Sequence, residues 1–155
     1  MRKRSKYRPR RVLRDTLGFV LDGFAPMSEY SPQLLDLRLK NHEAMVALTQ
    51  GRAGTPQMGV LIAMYNVTEA LFKMGVGKEF AEHVDAGREA IISIVERSHK
   101  VQKYVPTGDE LKALNALVEL HDAQMDVINV REMDSAIKLA QREINAGRAT
   151  NLRKS

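Results

Sequence analysis

A chain of 155 residues, 44% of them apolar, is long enough to bury one core; with only 5% aromatics and eight Met, that core must be aliphatic. The absence of Cys excludes disulfides, thiolate zinc sites and thiol catalysis, and fits a reducing cytosol. Charge is unevenly placed: residues 1–14 hold eight of the 24 Lys/Arg and no acid, which leaves 16 bases against 19 acids, a net −3, in the other 141 residues.

The basic arm comes first in chain order. Arg2, Lys3, Arg4, Lys6, Arg8, Arg10, Arg11 and Arg14 are interrupted by Tyr7 and Pro9. Such a composition is expected to stay unfolded until it meets a polyanion. Its cations would neutralise phosphates, and Tyr7 would stack on an exposed base. Two other readings of the arm are a solubilising tail and a membrane-surface anchor. Asp15 and Asp22 on the following stretch argue against anionic lipid. The same two acids bound an uncharged run of only Thr16–Leu21, too short for the apolar region of a signal peptide, and no stretch approaches the roughly 18 apolar residues of a membrane span.

Beyond the arm, apolar residues recur at spacings of three and four, the helical signal, with no sustained period-2 alternation. Leu13, Leu17, Val20, Leu21 and Phe24 share one face of a short helix, weakened by Gly18 and Gly23 and ended at Pro26. Ser31-Pro32 reads as an N-cap followed by proline at the first helical position, opening a helix to about Gln50 with Gly51 as its stop. On it, Leu35, Leu39, His42, Val46 and Thr49 form one row, which places His42 on an apolar face. Thr55-Pro56 repeats the start signal, with Leu61, Ile62, Tyr65, Leu71 and Phe72 as anchors and Gly75 and Gly77 as the end. Within that helix Ile62, Asn66 and Ala70 form a row that suits close helix approach, inside the chain or between copies. The linker Gly51–Pro56 is glycine-rich but lacks the Gly-Lys-Ser/Thr ending of a phosphate loop, and reads as a turn.

The next helix spans about Lys78 to His99 with a stripe of Phe80, Val84, Ile91, Ile92 and Val95. Tyr104–Pro106 is a loop. Thr107 with Glu110 is a capping box, opening a helix with Leu111, Leu114, Val118, His121 and Met125 on one row. Asn129 with Glu132 repeats that spacing, so the helix breaks near Ile128. The last helix carries Val130, Met133, Ile137, Ala140 and Ile144 and stops at Gly147. The expected fold is all-α: a compact bundle of about five helices over residues 15–147, a flexible basic arm over 1–14 and a short basic tail over 148–155.

No residue set calls for a cofactor or a metal. Glu96 and His99 have the Glu-x-x-His spacing of di-metal bundles, but the motif occurs once where two copies are needed. An enzyme would require His42 and His121 to converge with Glu43, Asp122 or Glu119, and no hydroxyl stands out beside either imidazole. The commoner fate of a histidine on an apolar face is a core residue with one satisfied hydrogen bond. No helix presents a basic face, so a helix-turn-helix reading has no support.

Several stretches occur together: Tyr7-Arg8-Pro9, Asn41-His42-Glu43-Ala44-Met45, Leu48-Thr49-Gln50-Gly51, Asn66-Val67-Thr68-Glu69-Ala70-Leu71 and Glu119-Leu120-His121-Asp122-Ala123-Gln124. In these the chain resembles a family of small, basic, helical proteins encoded by phages and prophages of Gram-negative bacteria. The resemblance spans most of the chain and carries no catalytic motif. It implies a small cytoplasmic protein that acts by binding, on nucleic acid or on a host protein. It also singles out Asn41, His42, Asn66, Glu69, His121 and Asp122, together with Gln50 and Gln124, as polar residues inside these stretches. A buried polar network shared between helices is one explanation and a binding pocket is the other.

The expected function is thus non-enzymatic: nucleic-acid binding of low sequence preference through the arm, with a body that positions it and is able to dimerise. The alternative is a protein-interaction module that binds and modulates a host protein or defence complex.

Overall fold

The computed structural model describes residues 31–149, with side chains from Leu35 onward; the arm, the short helix expected over Leu13–Phe24 and the tail beyond Ala149 lie outside them. Five α-helices follow in order: α1 Ser31–Thr49, α2 Thr55–Lys73, α3 Ala81–Val101, α4 Gly108–Val127 and α5 Val130–Asn145. A 3-10 turn, Lys78–Phe80, leads into α3. No strand occurs among the described residues. Each helix lies within about three residues of its expected span, because its ends carry chemistry of their own.

The Gly51 stop is one such end. Gly51 takes φ +70°, and Arg52 N–H donates to Ala47 C=O at 2.9 Å while Gly51 N–H donates to Leu48 C=O at 3.1 Å. This left-handed cap satisfies carbonyls that α1 leaves unpaired, at a backbone angle that costs glycine little. Gly147 closes α5 in the same way. The start of α2 differs from expectation by one residue. Gly54, not Thr55, is the N-cap, and its N–H donates to the Gln57 side chain at 2.9 Å. Thr55 turns instead toward the Tyr104 hydroxyl, 3.4 Å away.

Both expected capping boxes form. Thr107 accepts from Glu110 N–H at 3.2 Å, and the Glu110 carboxylate accepts from Thr107 N–H at 2.7 Å. Asn129 and Glu132 make the equivalent pair at 2.9 and 2.8 Å. Glu110 also receives a two-pronged Arg97 guanidinium at 2.7 and 3.0 Å, which locks α3 to α4 beside their loop. Arg97, with the cap bonds after it, holds the Glu110 carboxyl below its ordinary value. Thr107→Ala is expected to lose about 1 kcal/mol of stability, read by chemical denaturation. A loss well below that would mean water replaces the cap without cost.

Helix α2 packs against all four other helices. It is the most apolar of the five, and a helix apolar on most sides belongs inside. Around it Leu48, Met58, Leu61, Tyr65, Ile91, Ile94, Leu114 and Leu117 form the main core. Ala70, Leu71, Met125, Ile128, Ala136 and Ala140 form a second cluster under α5. Ile62, Asn66 and Ala70 are all buried within this one chain.

The α1 row points elsewhere than its spacing suggested, and single members of the α3 and α5 rows do. On α3 the residues that enter the core are Val84, Gly87, Ala90, Ile91 and Ile94, while Phe80 is exposed and Ile92 and Val95 are half-buried. On α5 the inward residues are Ala136 and Ala140, with Ile137 exposed. On α1 the core face is Asn41, Ala44, Met45 and Leu48, whereas Leu35, Leu39 and Val46 face outward at 58%, 51% and 47% exposure. In α1 apolar residues lie on more than one side, and on all three helices small residues such as Ala44, Gly87 and Ala136 stand beside the large ones in the core.

Candidate functional site

The polar residues singled out by the sequence separate into three groups. The first joins α1 to α4 at the surface. His42 is exposed, not buried, because the row it shares with Leu35, Leu39 and Val46 is the outward one. Its Nε2 lies 2.9 Å from Asp122 Oδ2. Arg38 Nη2 donates to the Asp122 carbonyl at 3.0 Å and pairs with Asp126. Four side chains thereby clamp two helices whose contacts run in opposite directions. Arg38 and Asp126 carry no mark in the sequence beyond ordinary helical charge.

The second group is buried. His121 is 1% exposed, and its Nδ1 lies 2.9 Å from the Thr68 hydroxyl. Thr68 also donates to Met64 C=O at 2.9 Å. A hydroxyl has one proton. With that proton on the carbonyl, Nδ1 must carry the imidazole hydrogen and donate to Thr68, leaving Nε2 as a bare acceptor. Nε2 has no hydrogen-bond partner. Burial holds the His121 pKa down to about 4, Asp122 works against that shift and Arg38 adds to it. Beside it the Gln124 amide donates to Thr68 C=O at 3.2 Å and to Val76 C=O at 3.1 Å, tying α4 to the end of α2. Asn41 is also buried, on the core face of α1. Thr68 is the hydroxyl that sequence reasoning failed to set beside a histidine. A threonine in mid-helix among apolar residues was the signal, but its 53-residue separation from His121 hid the pairing.

The third group joins α2 to α5. Glu69 lies 3.6 Å from Lys73, which lies 3.7 Å from Glu143, and Glu143 accepts two bonds from Arg148 at 3.0 Å. Burial pushes the Tyr65 phenol up, and Glu69 adds to the shift. Asn66 is buried on the same helix. His42 and His121 therefore neither meet each other nor share a cavity: one is at the surface with a carboxylate and the other is packed in the core. Among the described residues no three His, Asp or Glu side chains gather as a metal site would require.

Among the described residues a groove of about 550 Å³ opens at the surface between the outward side of α1 and the start of α2. Leu39, His42 and Val46 line one wall, and Arg52, Pro56 and Val60 the other. Among the described residues no helix is long and apolar enough to cross a membrane.

Comparison with family models, with curated proteins and with solved structures returns no match. The functional reading rests on the chain itself.

Proposed function

We propose that this protein is a non-enzymatic nucleic-acid-binding protein whose contacts come from Arg2, Lys3, Arg4, Lys6, Arg8, Arg10, Arg11 and Arg14, with Tyr7 stacking on an exposed base. The observation that carries the reading is the segregation of charge. The arm holds eight bases and no acid, whereas residues 15–147 hold 13 bases against 19 acids, a net −6. A body of that sign repels a polyanion, so attraction concentrates in the arm. Contact through cations and one aromatic ring reads the backbone and the stacked face, not base edges, and sequence preference is correspondingly low. The resemblance to phage and prophage proteins supplies the setting, a cytoplasmic protein that acts by binding.

The rival reading, a module that engages a host protein, draws on the same acidic body and on the apolar groove. Salt separates the two. For duplex DNA the slope of log K against log salt is about −0.9 per neutralised phosphate, so roughly −7 with all eight arm bases engaged. The test is binding of fluorescent single- and double-stranded DNA and RNA across a salt series. The full chain is compared with a full-length variant carrying Gln at the eight arm positions. Binding that follows a steep slope and disappears in the variant is expected. Equal binding by the variant, or no binding by the native chain at physiological salt, would sink the proposal and favour the protein-interaction module.

A further inference from the structure

The body is acidic as a whole, but two of its stretches hold bases and no acid. Residues 44–68 contain Arg52 and no Asp or Glu, and residues 97–108 contain Arg97, Lys100 and Lys103 and again none. The first stretch includes the α1–α2 turn and the second is the α3–α4 connection. The fold brings them to one end of the bundle: the Tyr104 hydroxyl lies 3.4 Å from that of Thr55, and Ala53 and Tyr104 pack against the same core. We propose that Arg52, Lys100 and Lys103 form a second phosphate-binding surface, on the body, which engages the nucleic-acid backbone together with the arm. The proposal rests on the nucleic-acid reading of the arm and extends it.

Elsewhere on the body cations stand against acids. Lys40 pairs with Asp36, Lys73 with Glu69 and Glu143, Lys138 with Asp134, and Arg148 with Glu143. Within the acid-free connection itself Arg97 is taken up by Glu110. Arg52, Lys100 and Lys103 are exposed, and among the described residues none of them has a carboxylate within ion-pair distance. Arg52 donates to the Gln50 side chain. The nearest acids in sequence are Glu96, one turn before Lys100, and Asp109, which lies beside Lys112.

Lys100 and Lys103 stand at the C-terminal end of α3, where a cation also suits the helix dipole. Arg52 has no such role. It lies two residues before Gly54, the N-cap of α2, and so faces the positive end of a helix dipole. A phosphate there would meet both the guanidinium and the helix end, which removes the conflict. The loop that carries Lys103 is fixed by Gln102, at φ +57°, whose N–H donates to Ser98 C=O at 2.8 Å and whose side chain donates to His99 C=O at 3.0 Å. Separate exposed cations on two adjoining turns suit a line of phosphates, and they add affinity without reading bases.

The test is binding of a fluorescent DNA duplex by the full chain across a salt series. At about −0.9 per neutralised phosphate, eight arm bases give a slope of about −7 and three further cations bring it to about −10. The variant Arg52→Gln/Lys100→Gln/Lys103→Gln is expected to bind with a slope shallower than the native one by about 2–3. A control of equal net charge, Lys78→Gln/Lys138→Gln/Arg142→Gln, is expected to keep the native slope. All of these side chains are exposed, so the fold tolerates the changes. A native slope in the first variant, or an equal reduction in the control, would overturn the surface and leave the arm reading standing. No binding by the native chain at physiological salt would overturn both.

Discussion

Lowering the pH from 7 to 4.5 is expected to cost about 2–3 kcal/mol of folding stability through His121 alone. The imidazole titrates at about 4 in the folded protein against an ordinary value of 6.5. Above pH 6.5 neither state holds the proton and stability is complete. Between 6.5 and 4 the unfolded chain takes up a proton that the folded chain refuses, so stability falls as pH falls. Below 4 both states are protonated and this loss reaches its limit. The cause is an unmet hydrogen bond as well as the low dielectric: protonation would place an N–H on Nε2, facing a core that offers it no acceptor. Urea unfolding of the native protein and of His121→Phe at both pH values checks this. The variant cannot bind the proton, so its own pH-dependent loss should be smaller by about 2 kcal/mol or more. Equal losses in the two proteins would show that carboxylates such as Glu110 account for the acid sensitivity.

Gly87→Ala is expected to destabilise the protein by up to about 2 kcal/mol, the opposite of its effect in an exposed helix. In a solvent-facing helix this change gains roughly 1 kcal/mol of helix propensity. Here a Cβ on residue 87 would lie 2.8 Å from Leu117 Cδ2, 3.1 Å from Cδ1 and 3.2 Å from Cβ. Leu117 is fully buried, so its side chain cannot swing aside, and overpacking of about 1–3 kcal/mol outweighs the propensity gain. Leu117→Ala alone should cost about 2–5 kcal/mol through the cavity it leaves. In the double variant the new methyl partly fills that cavity, so the combined loss should fall clearly short of the sum of the single losses. Additive losses would place the strain elsewhere than in the Gly87–Leu117 contact.

The two histidines illustrate how far a row of spacings carries. Both were set on apolar faces by the same pattern. His121 is indeed in the core, on a side of α4 that also buries Leu114, Leu117, Val118 and Met125. His42 is not, because α1 is apolar on two sides and spacing alone ranks neither. Burial took the side of Asn41, Ala44, Met45 and Leu48, where two smaller residues let α1 approach its neighbours closely, and left Leu35 and Leu39 outside. On α3 Gly87 and Ala90 enter the core beside Ile91 and Ile94, while Ile92 stays half-buried.

The amino-acid sequence by itself determined the helical class, the helix ends and their order. Caps such as Thr107–Glu110 and stops such as Gly51 act within four or five residues, a range over which local chemistry decides. Only the tertiary structure decided which side of α1 faces inward, and which polar residues meet. Arg38 with Asp126, His42 with Asp122 and His121 with Thr68 are 88, 80 and 53 residues apart. Such pairings depend on how close two helices can come and on which buried polar atoms must be satisfied, properties of the packed bundle that no single helix contains.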